Sequence, residues 1–107
     1  MSSSFGDMGN LLKQAQQMQR ELDRVREELR KTEVEGTSGG GAVRVVVTGD
    51  RRVLGVRFSD EVVAGGDRIV LEDLVVSALR DGMDRAQKLA DEKMGGVTGG
   101  LSLPGLF

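Results

Sequence analysis

The chain has 107 residues, a formal net charge of −2, and neither cysteine nor histidine. Without those two residue types, disulfides, thiolate metal sites, the common zinc sites and Ser-His or Cys-His nucleophile pairs are excluded. Three phenylalanines are the only aromatic residues, so core volume must come from Val, Leu and Met, and a thin core in so short a chain favours completion against a second copy.

No Asp/Glu cluster in a loop points to carboxylate or Mg²⁺ chemistry, so no enzymatic activity, metal or cofactor is expected. The acidic balance is the reverse of that usual for a nucleic-acid-binding domain. No run approaches the roughly 18 apolar residues of a membrane span. The opening MSSSFGDMGN has neither the basic nor the apolar region of a signal peptide. A cytoplasmic protein with no membrane partner is the expectation.

The first helix is expected to begin near Gly9 or Asn10, with Asn10 as N-cap. Met8, Leu11, Ala15, Met18, Leu22, Val25 and Leu29 then recur at alternating steps of three and four, the a/d pattern of a heptad. Leu11, Ala15, Met18, Leu22, Val25 and Leu29 would serve as a dimer or helix-packing seam; packing on the chain's own sheet is the alternative. The narrowness of the stripe leans toward a seam.

At about 100° per residue, Lys13, Arg20, Arg24 and Lys31 fall almost opposite this stripe, over roughly 27 Å of helix. Glu21, Asp23, Glu27 and Glu28 flank them at spacings that allow i±3 and i±4 pairing. One reading is a solvated, salt-bridged face. The other is contact with a run of DNA phosphates, where each cation adds salt-dependent affinity. Gln14 and Gln19 lie nearer the stripe.

Three strands are expected next, at about Thr32 to Thr37, Ala42 to Thr48 and Val53 to Phe58. Ser38 to Ala42 (SGGGA) reads as a flexible turn, since glycine adopts positive φ without steric cost. GDRR reads as a second, tight turn. Links this short make an antiparallel meander the simplest arrangement. Arg44, Arg51, Arg52 and Arg57 stand in this segment against Asp50 alone, a secondary set of DNA-binding candidates.

SDEVVAGGD leads into a second helix, expected from about Arg68 to Met94 with Asp67 as N-cap. Leu71, Leu74, Val75, Leu79, Met83, Ala86 and Leu89 form its apolar face. Ala78, Gly82, Ala86 and Ala90 make a ridge of small residues that would admit another backbone closely. From Leu71 to Met94, Glu72, Asp73, Asp81, Asp84, Asp91 and Glu92 outnumber Arg80, Arg85, Lys88 and Lys93, so its polar side repels phosphate on balance. The domain is read as residues 1–94. The glycine-rich remainder, 95–107, is read as a flexible tail whose Leu101, Leu103, Leu106 and Phe107 are available to dock on a partner.

GNLLKQAQQMQ (Gly9 to Gln19), EVEGTSGGGAVRVVVTGD (Glu33 to Asp50), LEDLVVSAL (Leu71 to Leu79) and GGLSLPGLF together resemble the YbaB/EbfC family of small bacterial nucleoid-associated proteins. The resemblance spans nearly the whole chain. It implies an α+β protomer ordered α-β-β-β-α, a tweezer-like homodimer, and non-enzymatic DNA binding with little or broad sequence preference. It also implies a nucleoid location and suggests a link to replication or recombination-repair proteins. Carried onto this chain, the implied DNA-binding residues are Lys13, Gln17, Arg20 and Arg24, with Arg30 and Lys31 as extensions. The competing function is a protein-interaction module for a replication or repair factor, without direct DNA contact.

Overall fold

The structure, a computed structural model, describes residues 2–97, with side chains from Asp7 onward. In chain order the elements are α1 (Ser2–Lys31), β1 (Glu33–Ser38), β2 (Val43–Thr48), β3 (Val53–Phe58), a six-residue α2 (Asp60–Gly65) and α3 (Arg68–Val97). The strands form one antiparallel sheet in the order β1-β2-β3. This is the expected α+β meander between two long helices, with α2 added.

α1 begins at Ser2, well before the expected start, so Asn10 is a helix-interior residue and not a cap. No proline interrupts Ser2 to Gly9, and each residue added to an existing helix gains a hydrogen bond. α2 was not foreseen. Its Ser59 hydroxyl accepts the Val62 amide at 3.2 Å, and Gly66 closes it at φ 66°, a left-handed conformation that glycine adopts freely. Asp67 caps α3 as expected, its carboxylate accepting the Ile69 and Val70 amides at 3.1 and 3.2 Å. α3 runs through Gly95 and Gly96 to Val97. Of the expected tail, residues 98–107 lie outside the described residues.

The core lies between the sheet and α3. Val43, Val45 and Val47 alternate along β2 and are fully buried, as are Ala78 and Ala86 of α3. Each buried valine contributes about 1.5–3 kcal/mol. Register sets Ser38, Gly36 and Val34 of β1 beside these valines. The small-residue ridge of α3 meets that row. A Cβ built on Gly36 would stand 2.3 Å from the Gly82 nitrogen and 2.4 Å from the Ala78 carbonyl oxygen. Backbone therefore rests on backbone. Two hydrogen bonds fix the crossing: the Thr37 amide donates to Asp81 Oδ2 at 2.9 Å, and the Ser38 hydroxyl to the Leu74 carbonyl at 2.6 Å. α3 thus covers β1 and β2 and leaves β3 largely open.

The turns are ordered by chemistry that the sequence announces in part. Gly39, Gly40 and Gly41 all hold positive φ, at 58°, 66° and 96°, so the expected flexible turn is a tight one with a defined path. After β2, the Thr48 amide donates to the Arg52 carbonyl and the Arg51 amide to the Thr48 carbonyl, both at 2.8 Å. Gly49 seats the end of α1: its amide donates to the Thr32 carbonyl at 2.9 Å, and an added Cβ would stand 2.8 Å from the Leu29 carbonyl oxygen.

A methyl group at Gly36 has nowhere to go, so Gly36→Ala should lower the urea-unfolding free energy by about 3 kcal/mol or more. Gly55→Ala, where a Cβ meets nothing within 4 Å, should change it by less than about 1 kcal/mol. Equal effects would contradict the contact. The Asp81 carboxyl is held below the usual carboxylate range by the Thr37 amide and then by Arg85. Its stabilisation is therefore present at neutral pH and lost as pH falls below about 4. Thermal melts from pH 7 to pH 3 should show a smaller acid loss in Asp81→Asn than in the unmodified protein.

Candidate nucleic-acid interface

The apolar stripe of α1 divides into two halves. Val25 and Leu29 are each 3% exposed and Leu22 is half-buried, where α1 runs beside α3. Lys93 donates to Glu28 at 3.4 Å across that junction, and Val97 lines one shallow pocket with Gln14, Gln17, Met18 and Glu21. The two helices are therefore antiparallel, and α3 ends about halfway along α1. Beyond it Met8, Leu11 and Leu12 are 66%, 64% and 61% exposed, and Ala15 and Met18 are exposed too. Within one chain the inner half is a helix-packing seam and the outer half is bare.

The cations divide at the same place. Between Met8 and Arg20 there is no acidic residue, and Lys13 and Arg20 give that segment a charge of two minus zero, or +2. Both are exposed, and neither pairs with a carboxylate among the described residues. Gln17 is exposed between them. From Glu21 to Lys31, four bases (Arg24, Arg26, Arg30 and Lys31) face four acids (Glu21, Asp23, Glu27 and Glu28), a net of zero.

The inner cations are engaged. Arg24 donates to Glu21 at 2.8 and 3.2 Å and also to Glu28, and the Glu21 hydrogen bond, ahead of the other contacts, raises its already high pKa. Arg30 grips Glu27 with two nitrogens at 2.6 and 3.0 Å. Lys31 reaches the same carboxylate at 3.5 Å, and Arg26 reaches Asp23 at 3.3 Å. The Arg30 hydrogen bond leads the causes that lower Glu27 to a pKa of about 2, so this acid is ionised throughout the physiological range. Exposed pairs of this kind are worth about 0–1 kcal/mol, so they compete only weakly with a polyanion.

The sheet arginines are less uniform than their sequence clustering suggests. Arg44 pairs with Glu35 at 2.7 Å and Arg52 with Asp50 at 3.5 Å. Arg51, at a positive φ of 69°, donates to Gln87 at 2.6 Å. Arg57 stands directly opposite Arg44 in the ladder and has no carboxylate partner among the described residues. On α3, Arg85 pairs with Asp81 at 3.1 Å and Arg68 with Glu72 at 3.6 Å. Among the described residues no group of three or more acidic side chains is placed to hold a metal ion, and no helix is long and apolar enough to cross a membrane.

The unforeseen feature is the coincidence of boundaries: α3 stops covering α1 where the acids stop neutralising it. The charge half of that coincidence is legible in the sequence. The packing half depends on the Glu28–Lys93 and Met18–Val97 juxtapositions, which no local pattern reveals.

Comparison with known proteins bears on what this surface meets. The sequence profile of the YbaB/EbfC DNA-binding family matches residues 5–101. A nucleoid-associated protein of Caldanaerobacter subterraneus subsp. tengcongensis is 42% identical over 101 residues, covering 94% of this chain and 91% of the relative. One from Clostridium perfringens is 43% identical over 103 residues, covering 96% and 92%. The crystal structure of an uncharacterized protein from Helicobacter pylori superposes with a TM-score of 0.70 at 23% identity, over 88% of this chain and 96% of the other. That likeness is one of fold.

Proposed function

The chain belongs to the YbaB/EbfC DNA-binding family, and on that premise we propose that the outward face of α1 lies along the phosphate backbone of duplex DNA. The observation that carries this reading is the acid-free +2 segment from Met8 to Arg20, which lies beside the last turn of α3 at its inner end and runs out past it. Lys13 and Arg20, about 10 Å apart along the helix, make the primary contacts, with Gln17 donating hydrogen bonds between them. Arg24, Arg30 and Lys31 add to the contact by exchanging carboxylates for phosphates. Screening confines charge effects to about 8–10 Å at physiological salt, so this local segment outweighs a net charge of −2. Backbone contacts position a protein on DNA without specifying sequence, which supports broad preference. A nucleoid location follows from that partner, and no enzymatic step is involved.

The working unit in this proposal is a homodimer. Its support is the asymmetry of the sheet. β1 presents Glu33 and Glu35 and is crossed by α3, whereas the β3 edge presents Val53, Leu54, Val56 and Phe58, all at least 37% exposed. An open apolar edge of this length is a template for pairing with another chain. Phe58 continues into a shallow apolar groove with Leu71, Val75 and Val76 of α3. A second copy placed there completes the thin core and holds two α1 arms in one particle.

In mobility shifts on a random duplex, Lys13→Ala with Arg20→Ala should reduce the slope of log affinity against log salt by about 0.9 per lost contact. The circular-dichroism spectrum and oligomeric state should be unchanged. Glu27→Gln, which releases Arg30 and Lys31, should tighten binding and steepen that slope. An unaltered slope in the double variant would move the contact to Arg44, Arg51, Arg52 and Arg57. No shift by the unmodified protein even at low salt would favour the interaction-module reading. Phe58→Asp should convert the dimer to monomer in sedimentation velocity; a dimer that persists contradicts the β3 interface.

A further inference from the structure

The bare outer half of α1 calls for an occupant. Met8, Leu11, Ala15 and Met18 continue the same stripe that α3 covers at Leu22, Val25 and Leu29, and Leu12 is exposed at its border. The cover ends where α3 ends, with Val97 and Met18 bordering the same shallow pocket. Met8, Leu11 and Leu12 line a shallow surface that is almost wholly apolar. Isolated exposed apolar residues are ordinary, but a contiguous patch on a helix marks a contact surface.

The chain itself supplies a matching segment at that point. Because the helices are antiparallel, a chain leaving Val97 is already headed along α1 toward Met8. The next ten residues, TGGLSLPGLF (98–107), follow. Gly99, Gly100 and Pro104 disfavour a continued helix, and Leu101, Leu103, Leu106 and Phe107 are the large apolar residues. From Met18 to Met8 is about 15 Å of helix, while ten extended residues reach about 33 Å. Leu101 can therefore settle near Ala15, and the Leu106–Phe107 pair near Leu11, Leu12 and Met8.

We propose that residues 101–107 fold back in an extended form onto the outer stripe of α1 of the same chain, extending the cover that α3 begins. Tethering favours this occupant over any other. A tether of three residues, 98–100, sets a millimolar effective concentration, far above a micromolar second chain. The stripe lies opposite Lys13 and Arg20 on the helix, so the docked segment braces α1 and leaves the cationic face open. This proposal concerns the apolar side only and stands whether or not DNA is the partner of the other.

The chain has no cysteine, which makes an engineered disulfide unambiguous. Full-length protein carrying Leu12→Cys and Leu106→Cys should oxidise at micromolar concentration to a within-chain disulfide, seen as a faster monomer band on a non-reducing gel. A mixture of the two single variants should give at least tenfold less cross-linked product, and a control pair of Leu106→Cys with Arg57→Cys should not close. In the unmodified protein, hydrogen exchange at the amides of residues 101–107 other than Pro104 should be slowed. Met8→Ser with Leu11→Ser should return those amides to free-peptide rates while the sheet amides stay protected. Cross-links formed mainly between chains would place the segment, or a second α1, on a neighbour and overturn the proposal. So would unprotected amides at 101–107 in the unmodified protein.

Discussion

The fold rests on one close approach, that of α3 to β1 at Gly36, Ala78 and Gly82. Where no side chain separates a helix from a strand, lateral position and crossing angle are set by backbone contact, and a packed interior does not deform continuously. Asp81 and Ser38 hydrogen-bond across the same crossing. With α3 so fixed, its second half must leave the sheet in one direction. That half is the rail against which Val25 and Leu29 seat α1, and Gly49 holds the base of α1 by letting its backbone reach Leu29 and Thr32. The arm is therefore a consequence of glycines in the core, far from the charges it carries.

On that arm, packing and electrostatics change together. The inner half of α1 is covered on one side and neutralised on the other, by four carboxylates within reach of four cations. Among the described residues the outer half has neither cover nor counter-charge. Ion pairs at i±3 and i±4 stabilise a helix by a few tenths of a kcal/mol each, which suits a stem that must stay helical. A polyanion-binding tip gains more from cations without intramolecular competitors. Net charge, being an average over both halves and an acidic α3, conceals this division.

Much of this was legible from residue pattern. The run Ala42 to Thr48 was legible as a strand, short glycine-bearing links made antiparallel pairing the simplest choice, and Asp67 announced the start of α3. The small-residue ridge was legible as a place of close approach, though not as a partner of Gly36, because that pairing joins residues more than forty positions apart. α2 escaped notice because six residues are too few to show helical periodicity, even with Ser59 and Gly66 at its ends. The heptad stripe was read as one seam; where α3 stops, at Val97, decides that it is two surfaces. Arg24, Arg30 and Lys31 were grouped with Lys13 and Arg20 by angle around the helix, and only side-chain geometry separates the engaged from the free.

The central claim is that the outer half of α1, and not the sheet, meets the phosphate backbone. Amide chemical shifts of the full-length protein, followed while a random duplex is added at moderate salt, test it most directly. Perturbations concentrated between Gly9 and Arg24, fading as salt is raised, are the expected result. Perturbations confined to the strands around Arg44 and Arg57, with α1 silent, would contradict it.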